Sequence, residues 1–120
     1  MIIGVGVDII EIKRIEKACQ KKSFVEKAFS EAERQLYDLE KYNSLAGNFA
    51  VKEAVSKAFG TGFRGFKMTD IEVLRNDDGM PYVKLNNQAE EIANKLGITK
   101  IFVSISHNRD NAVGYAIAES

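Results

Sequence analysis

The sequence predicts one α+β domain in which helices cover one face of a largely antiparallel sheet. Two observations lead to this class. Strand-like segments rich in β-branched residues stand at both ends of the chain, and segments with helical spacing of apolar residues lie between them. A chain of 120 residues is also too short for two ordinary hydrophobic cores, so residues 1–120 are expected to form a single domain.

The first half of the chain contains one predicted strand and three predicted helices. The segment IIGVGVDII is β-branched and spaced by glycines, which indicates a buried strand. In EIKRIEKACQKK the apolar residues follow helical spacing, with the charges on the other side. The capping box SEAE, with Ser30 and Glu33, should begin a helix that ends near Tyr42. A third helix is expected over residues 44–59, ending at the glycines of GTG.

The second half contains two predicted strand pairs separated by a helix. The segments TDIEVLRN and YVKL predict two strands joined by the turn DDGMP. The segment NNQAEEIANKLG predicts a helix with Gly97 just past its end. The segment KIFVSISHNRDNAVGYAIAE predicts a closing hairpin that turns around residues 108–111.

Composition and charge exclude several classes of protein. The 17 basic residues balance 17 acidic ones, which argues against binding nucleic acid through bulk charge. Cys19 is the only cysteine, so a disulfide framework and a zinc-ligand cluster are excluded. The apolar start MIIGVGVDII is too short to span a bilayer and lacks the basic region of a signal peptide. We therefore expect a cytoplasmic protein without nucleic-acid or membrane partners.

The segment GTGFRG formally matches the glycine pattern of dinucleotide-binding proteins. That fingerprint requires a strand before it and a helix after it, whereas here a helix precedes and strand-like residues follow. The lysine of a P-loop is also missing, since Phe66 follows Gly65. The segment therefore indicates a helix stop followed by a turn, whose backbone amides could still meet a phosphate.

Asp8 is a charged residue inside the apolar first strand. Because side chains alternate along a strand, Gly4, Gly6 and Asp8 share one face, where the glycines leave open space beside the carboxylate. A carboxylate in such a run must be solvated, paired or metal-bound, since burying a bare charge is costly. The alternative is that Asp8 caps the helix that begins near Glu11.

Glu53 and Lys57 stand four residues apart on the third predicted helix. At this spacing they could form an ordinary surface ion pair, worth only a few tenths of a kcal/mol. If Glu53 instead faces Asp8, the two carboxylates form an oxygen site suited to magnesium, which fills its other positions with water and phosphate. Lys57 would then neutralise that phosphate. The local sequence leaves both interpretations open.

His107 is the only histidine of the chain, and it stands where the strand IFVSIS enters the hairpin turn. A lone histidine there is compatible with a surface residue. It is equally compatible with a group that binds phosphate or assists proton transfer near neutral pH.

Three blocks of sequence resemble a known family. The segments GVGVDIIEIKRI, FAVKEAVSKAFGTG and VSISHNRDNAVGYAIAE resemble the signature blocks of the holo-acyl-carrier-protein synthases, the small phosphopantetheinyl transferases of fatty-acid synthesis. Their order, spacing and the length of the chain match, and DGMPYV resembles the G-x-P turn of that family. The resemblance implies the phosphopantetheinyl transferase fold, assembled as a homotrimer with active sites between neighbouring subunits.

The resemblance also implies roles for individual residues. Asp8 and Glu53 match the magnesium ligands of the family, and Lys57 matches a lysine beside the phosphates of coenzyme A. Arg14 matches a contact to the acyl carrier protein. Further positions match residues that line the coenzyme pocket, namely Gly60, Thr61, Gly62, Pro81 and His107.

One position departs from the family pattern. Where many members have GRFA, this chain has GNFA, so Asn48 replaces an arginine. The resemblance implies that this arginine helps to hold the 3′-phosphate of the coenzyme, which leaves open how the present chain makes that contact.

The implied reaction is a magnesium-dependent transfer of 4′-phosphopantetheine from coenzyme A to a serine of apo-acyl carrier protein, releasing 3′,5′-ADP. Asp8 and Glu53 would hold the magnesium ion, and Lys57 would stabilise the departing phosphate. Glu53, directly or through a metal-bound water, would take the serine proton. Two other interpretations remain: a non-catalytic α+β binding module, and a magnesium-dependent phosphohydrolase acting on a nucleotide.

Residues 11–22 carry five basic and two acidic side chains. In the predicted helix, Lys13, Lys17 and Lys21 repeat every four residues and form one basic stripe. A charge run is often just a solvated face, but acyl carrier proteins are acidic, and a basic stripe would steer such a partner despite zero net charge. The sequence therefore predicts that Arg14, Lys17 and Lys21 bind the carrier protein.

Overall fold

The computed structural model describes residues 1–36 and 41–120. In chain order, its elements are strand β1 (Ile2–Glu11), helices α1 (Ile12–Ala18), α2 (Lys22–Ala28), α3 (Glu31–Leu36) and α4 (Tyr42–Phe59), the 3₁₀ helix Met68–Asp70, strands β2 (Ile71–Arg75) and β3 (Pro81–Leu85), helix α5 (Asn87–Lys95), and strands β4 (Lys100–His107) and β5 (Asn111–Glu119).

The strands form two antiparallel sheets rather than the one that the sequence suggested. The larger sheet has the order β1-β5-β4, and β2 pairs with β3 in a separate hairpin. Strand β3 packs beside β4, while α4 packs across β1 and β5. The structure confirms the predicted α+β class and both strand pairs. It also confirms the helix predicted over residues 44–59, which is α4, and the helix that is now α5.

The glycines of β1 allow helix α4 to lie directly on the sheet. A Cβ atom at Gly6 would lie 1.8 Å from the carbonyl oxygen of Ala54, and one at Gly4 would lie 2.0 Å from that of Ala58. These distances are far below van der Waals contact, so only glycine allows this approach. The space that we expected to be open beside Asp8 is therefore filled by the backbone of α4.

The opposite face of the larger sheet is apolar and exposed. The prediction of a buried first strand is wrong for this face, because the helices of the described residues pack on the other one. Its exposed side chains include Ile3 at 39%, Val5 at 53%, Val7 at 51%, Ile9 at 65%, Phe102 at 51% and Tyr115 at 41% of their full accessibility.

The helix predicted over residues 11–22 is divided into α1 and α2. Helix α1 ends at Ala18, with Cys19 as its C-cap, and Lys21 is the N-cap of α2. The turn lets Ile15 of α1 and Val25 of α2 pack into one cluster with Leu45 of α4. A single straight helix could not bring both segments to that cluster. The predicted stripe is therefore interrupted, since Lys21 is not on the same helix as Lys17.

The capping box is confirmed. The Glu33 amide donates to Ser30 Oγ at 3.2 Å, and the Ser30 amide donates to Glu33 Oε1 at 3.0 Å. The predicted helix end near Tyr42 is wrong, because Lys41 is already the N-cap of α4; residues 37–40 lie outside the described residues. Across residues 1–36 and 41–120, no helix has the length and apolar character needed to cross a bilayer.

Candidate active site

Lys57 pairs with Asp8 rather than with Glu53. Its ammonium lies 3.3 Å from Asp8 Oδ1 and donates to the carbonyl oxygen of Val7 at 2.9 Å. The alternative role of Asp8 as a helix cap is wrong, because Glu11 occupies the N-cap of α1 without a side-chain capping bond. The lysine thus reaches from helix to strand across the edge of the sheet.

Glu53 is half-buried beside this pair. Burial raises the pKa of the Glu53 carboxyl, the negative charge of Asp8 raises that pKa further, and Lys57 opposes both effects. Within the described residues, the Glu53 carboxylate makes no hydrogen bond or ion pair. The Glu53 carboxylate is therefore a hydrogen-bond acceptor without a partner, close to the carboxylate of Asp8, and Lys57 only partly offsets its charge.

The two carboxylates fit a magnesium ion better than a transition metal. Among the described residues there is no cluster of three or more histidine, cysteine, aspartate or glutamate side chains that could enclose a metal. Magnesium commonly takes one or two carboxylates and leaves its other positions to water and phosphate. The pair of Asp8 and Glu53 matches that donor set.

The loop after α4 begins with two residues of positive φ, Gly60 at 79° and Gly62 at 60°. The Gly60 amide donates to the carbonyl oxygen of Lys57 at 2.9 Å, and the Gly62 amide donates to that of Ser56 at 3.2 Å. Between them, Thr61 Oγ1 donates to the Gly62 carbonyl oxygen at 2.8 Å. The glycine amides therefore close the helix, as the helix-stop interpretation predicted, and the loop is positioned directly beside Lys57.

Two other predicted site residues lie elsewhere in the chain. His107 ends β4 and lines a surface cavity of about 490 Å³ with Lys41, Tyr42, Ser44 and other residues at the start of α4. Across the larger sheet, His107 pairs with Ala112 of β5, which pairs with Ile10 of β1, so His107 lies about 12 Å from Asp8 at about 4.8 Å per strand and about 3.3 Å per residue. Pro81 begins β3 in the smaller sheet, which packs beside β4. Within one chain, His107 is therefore two strands away from the carboxylate pair, and Pro81 lies in the other sheet.

The basic residues predicted to bind a partner are all exposed. Arg14 and Lys17 lie on α1, and Lys21 lies at the turn into α2. Lys13 and Lys17 border one shallow surface cavity together with Glu16 and Gln20. The basic surface exists, but it spans two short helices.

Asn48 is fully buried and points away from solvent. Its Oδ1 accepts a hydrogen bond from Arg75 Nη2 at 2.9 Å, and its Nδ2 has no partner within the described part of the chain. The side chain at this position therefore holds an arginine from β2 rather than facing the carboxylate pair.

Helix α4 contains a second lysine, Lys52, which is fully buried and which the sequence did not single out. Lysines are rarely fully buried unless they are paired, so a lysine next to Glu53 in the sequence is expected to be exposed. A signal was present, because Lys52 lies seven residues after Leu45 and seven before Phe59, on an apolar stripe of the helix.

Comparison with known proteins connects the chain to a family. Residues 4–117 match the family described as the 4′-phosphopantetheinyl transferase superfamily. A holo-(acyl-carrier-protein) synthase of Clostridium perfringens is 51% identical over 126 residues, covering 99% of this chain and 95% of the relative.

Solved structures agree with the sequence match. The holo-(acyl-carrier-protein) synthase of Bacillus anthracis, in complex with coenzyme A (3′,5′-ADP), is 36% identical with a TM-score of 0.83, covering 100% of this chain and 98% of that one. The enzyme of Helicobacter pylori, in complex with coenzyme A, is 32% identical with a TM-score of 0.85, covering 96% and 99%. The chain thus belongs to the holo-(acyl-carrier-protein) synthases, which are phosphopantetheinyl transferases.

Proposed function

We propose that this enzyme transfers 4′-phosphopantetheine from coenzyme A to a serine of apo-acyl carrier protein, with magnesium, and releases 3′,5′-ADP. The observation that carries the proposal is the cluster of Asp8, Glu53 and Lys57 at the edge of the sheet. Coenzyme A as the donor is supported by the two relatives whose structures contain it. The reaction supplies holo carrier protein for fatty-acid synthesis in the cytoplasm.

Asp8 and Glu53 hold the metal in this proposal. Bound there, magnesium supplies positive charge to the pyrophosphate of the coenzyme. Lys57 now compensates Asp8, and its side chain is 53% exposed, so it is free to turn from the carboxylate to a phosphate oxygen. It would then stabilise the charge that develops on the departing 3′,5′-ADP.

Glu53 takes the proton of the carrier serine. It is the half-buried carboxylate beside Asp8 at the proposed metal site, where it lies within reach of a hydroxyl brought to the reacting phosphate. Its carboxylate makes no hydrogen bond within the described residues, so an oxygen is available to accept the proton, directly or through a water.

The coenzyme pocket is completed by a neighbouring subunit. Gly60, Thr61 and Gly62 line the half that lies beside Lys57, whereas His107 lies two strands away and Pro81 lies in the smaller sheet. A homotrimer with active sites between subunits resolves this separation. The exposed apolar face of β1, β5 and β4 is a surface that such an assembly would cover.

The carrier protein docks on the basic surface of α1 and the turn that follows it. Arg14, Lys17 and Lys21 are exposed there and match the negative charge of acyl carrier proteins. Arg14 grips a carboxylate with two hydrogen bonds, whereas the lysines act as point charges.

One assay tests the proposed function. The protein is incubated with coenzyme A, magnesium and apo-acyl carrier protein, and the carrier is weighed by mass spectrometry. We expect the mass of one phosphopantetheine to be added in a magnesium-dependent manner. A binding module would leave coenzyme A intact, and a phosphohydrolase would cleave it without any carrier, so either result would overturn the proposal.

A further inference from the structure

Lys52 anchors helix α4 from the side opposite the sheet. Its ammonium donates to Glu33 Oε1 at 2.5 Å, to the carbonyl oxygen of Ala28 at 2.7 Å and to that of Met68 at 3.2 Å. An ammonium has three donors, so all three are satisfied without water. The acceptors come from α3, from the end of α2 and from the 3₁₀ helix, which therefore meet at this one atom.

The partner carboxylate is equally constrained. Glu33 is fully buried, its Oε1 also accepts from the Ser30 amide at 3.0 Å, and its Oε2 accepts from the Val73 amide at 3.3 Å. The Glu33 carboxylate is therefore held in one orientation, because a shift in either direction would lengthen one of these hydrogen bonds. Through it, Lys52 of α4 is connected to strand β2.

Helix α4 is held from two sides. On the sheet side its backbone lies against glycines of β1 and β5, since a Cβ atom at Gly6 would lie 1.8 Å from the Ala54 carbonyl oxygen and one at Gly114 would lie 2.4 Å from the Ala50 carbonyl carbon. These contacts fix how near the helix lies to the sheet and which face it turns toward it. On the opposite side the contacts at Lys52 are hydrogen bonds, which are directional, so its three acceptors define where that side of the helix lies.

We propose that Lys52 and Glu33 are positioning residues for the reaction: their buried ion pair holds the side of α4 opposite the sheet in place and so keeps Glu53 beside Asp8. The inference rests on the proposed metal site of Asp8 and Glu53. Glu53 follows Lys52 directly in the chain, so any movement of the helix released at Lys52 is carried to the Glu53 carboxylate. A misplacement of about 1 Å at a reacting group can cost about 100-fold in rate.

The test measures metal binding independently of turnover. Manganese(II) is titrated into the protein in the presence of 3′,5′-ADP, and the free ion is followed by electron paramagnetic resonance. The double variant Lys52→Met/Glu33→Leu replaces the pair by apolar side chains, so that neither charge is left buried without its partner. We expect its manganese dissociation constant to rise about 10-fold or more, the range typical of groups that support a metal ligand. The Michaelis constant for the carrier protein should stay unchanged.

The matched control is Val55→Ala, a buried apolar change on the same helix. It lowers the melting temperature through a cavity without removing a polar contact, and it should leave the manganese constant unchanged. If the double variant does not fold, Glu33→Asp is used instead. Its side chain is one methylene shorter, so the carboxylate is moved away from Lys52 while its charge is kept. It should weaken manganese binding in the same direction.

The outcomes separate the two proposals. A wild-type manganese constant in the folded variants, or an equal change in Val55→Ala, overturns the positioning role of Lys52 and Glu33. Asp8→Ala serves as the reference arm. If manganese binding is unaffected by Asp8→Ala, or absent from the wild-type protein, the proposed metal site itself is wrong.

Discussion

Helix α4 carries two lysines with opposite environments. Lys52 and Glu33 are both fully buried, whereas Lys57 and Asp8 retain 53% and 20% of their side-chain accessibility. The buried ammonium has three protein acceptors at fixed positions. The exposed ammonium has one carboxylate oxygen at 3.3 Å and one carbonyl oxygen.

The difference shows which ion pair can exchange partners. A buried pair costs desolvation that must be matched by complete hydrogen bonding, so Lys52 has no capacity left for a ligand. An exposed pair contributes little to stability and competes with water. Lys57 can therefore leave Asp8 for a phosphate at small cost. The buried side of α4, with Lys52, makes fixed contacts, and its open side, with Lys57, makes contacts that can exchange, as the proposed reaction requires.

The largest effect is expected when the open side loses a carboxylate. Asp8→Ala or Glu53→Ala should lower turnover by about 100-fold or more, since in the proposed mechanism each removes a ligand of the magnesium ion that neutralises the phosphate. The melting temperature should change little, because neither carboxylate belongs to the buried core. Turnover with saturating magnesium and thermal unfolding by circular dichroism measure the two effects. Near-normal turnover in either variant would show that the open side is not the reaction centre.

Replacing each of the two lysines by alanine in turn should show that one mainly supports stability and the other mainly activity. Lys52→Ala leaves the Glu33 carboxylate buried without its partner, which is expected to cost about 3–5 kcal/mol in the free energy of unfolding. Lys57→Ala breaks an exposed pair and should cost at most about 1 kcal/mol, although it lowers turnover. Urea unfolding of both variants gives the comparison. Similar losses of stability would mean that burial does not distinguish the two pairs.

Asn48 belongs to the buried side, four residues before Lys52. Asn48→Arg places a second guanidinium beside that of Arg75 and overfills a site without solvent exposure. We expect a loss of about 1–3 kcal/mol in the free energy of unfolding, as is common for overpacking. The matched variant Asn48→Leu keeps the number and branching of the side-chain heavy atoms while removing the bond to Arg75, so it should be less destabilised than Asn48→Arg. A stable Asn48→Arg protein that binds coenzyme A more tightly would place this residue on the open side instead.

The basic surface of α1 and the turn after it carries a third kind of charge, one that in our proposal contacts only the carrier protein. Reversing Arg14, Lys17 and Lys21 to glutamate should raise the Michaelis constant for the carrier protein and leave that for coenzyme A unchanged. The effect should fade with added salt, because exposed charges are screened over about 8 Å at physiological ionic strength. Lys95→Glu, an exposed reversal on α5, is the control. Unchanged carrier kinetics would show that docking uses another surface.

The smallest effect concerns the titration of Glu53 in the metal-free protein. Burial and Asp8 raise its pKa, and Lys57 lowers it, so Lys57→Met should move the pKa further upward. The Glu53 carboxyl of the metal-free variant should therefore become protonated at a higher pH than that of the wild-type protein. Carbon-13 NMR of labelled glutamate follows the carboxyl directly. Lys22→Met, which removes an exposed partner of Glu26, should leave the Glu53 titration unchanged.

Local chemistry explains which parts of the fold were predictable. The capping box of Ser30 and Glu33, the glycine stop of α4 and the turn between β2 and β3 depend on neighbouring residues, and each is found where it was predicted. The division of the first helix was missed, because the turn after Ala18 is favoured by packing against Leu45 of α4 rather than by a local breaker.

By itself, the sequence determined the fold class and the family, and it proposed Asp8, Glu53 and Lys57 as the residues of the reaction, because these follow from periodicity and from motifs of fixed spacing. Only the tertiary structure decided how those side chains pair. Lys57 turns to Asp8, and Lys52 is buried against Glu33. The physical reason is that the energy of a charge depends on solvent exposure and on partners distant in sequence, and both are set when α4 packs against the sheet.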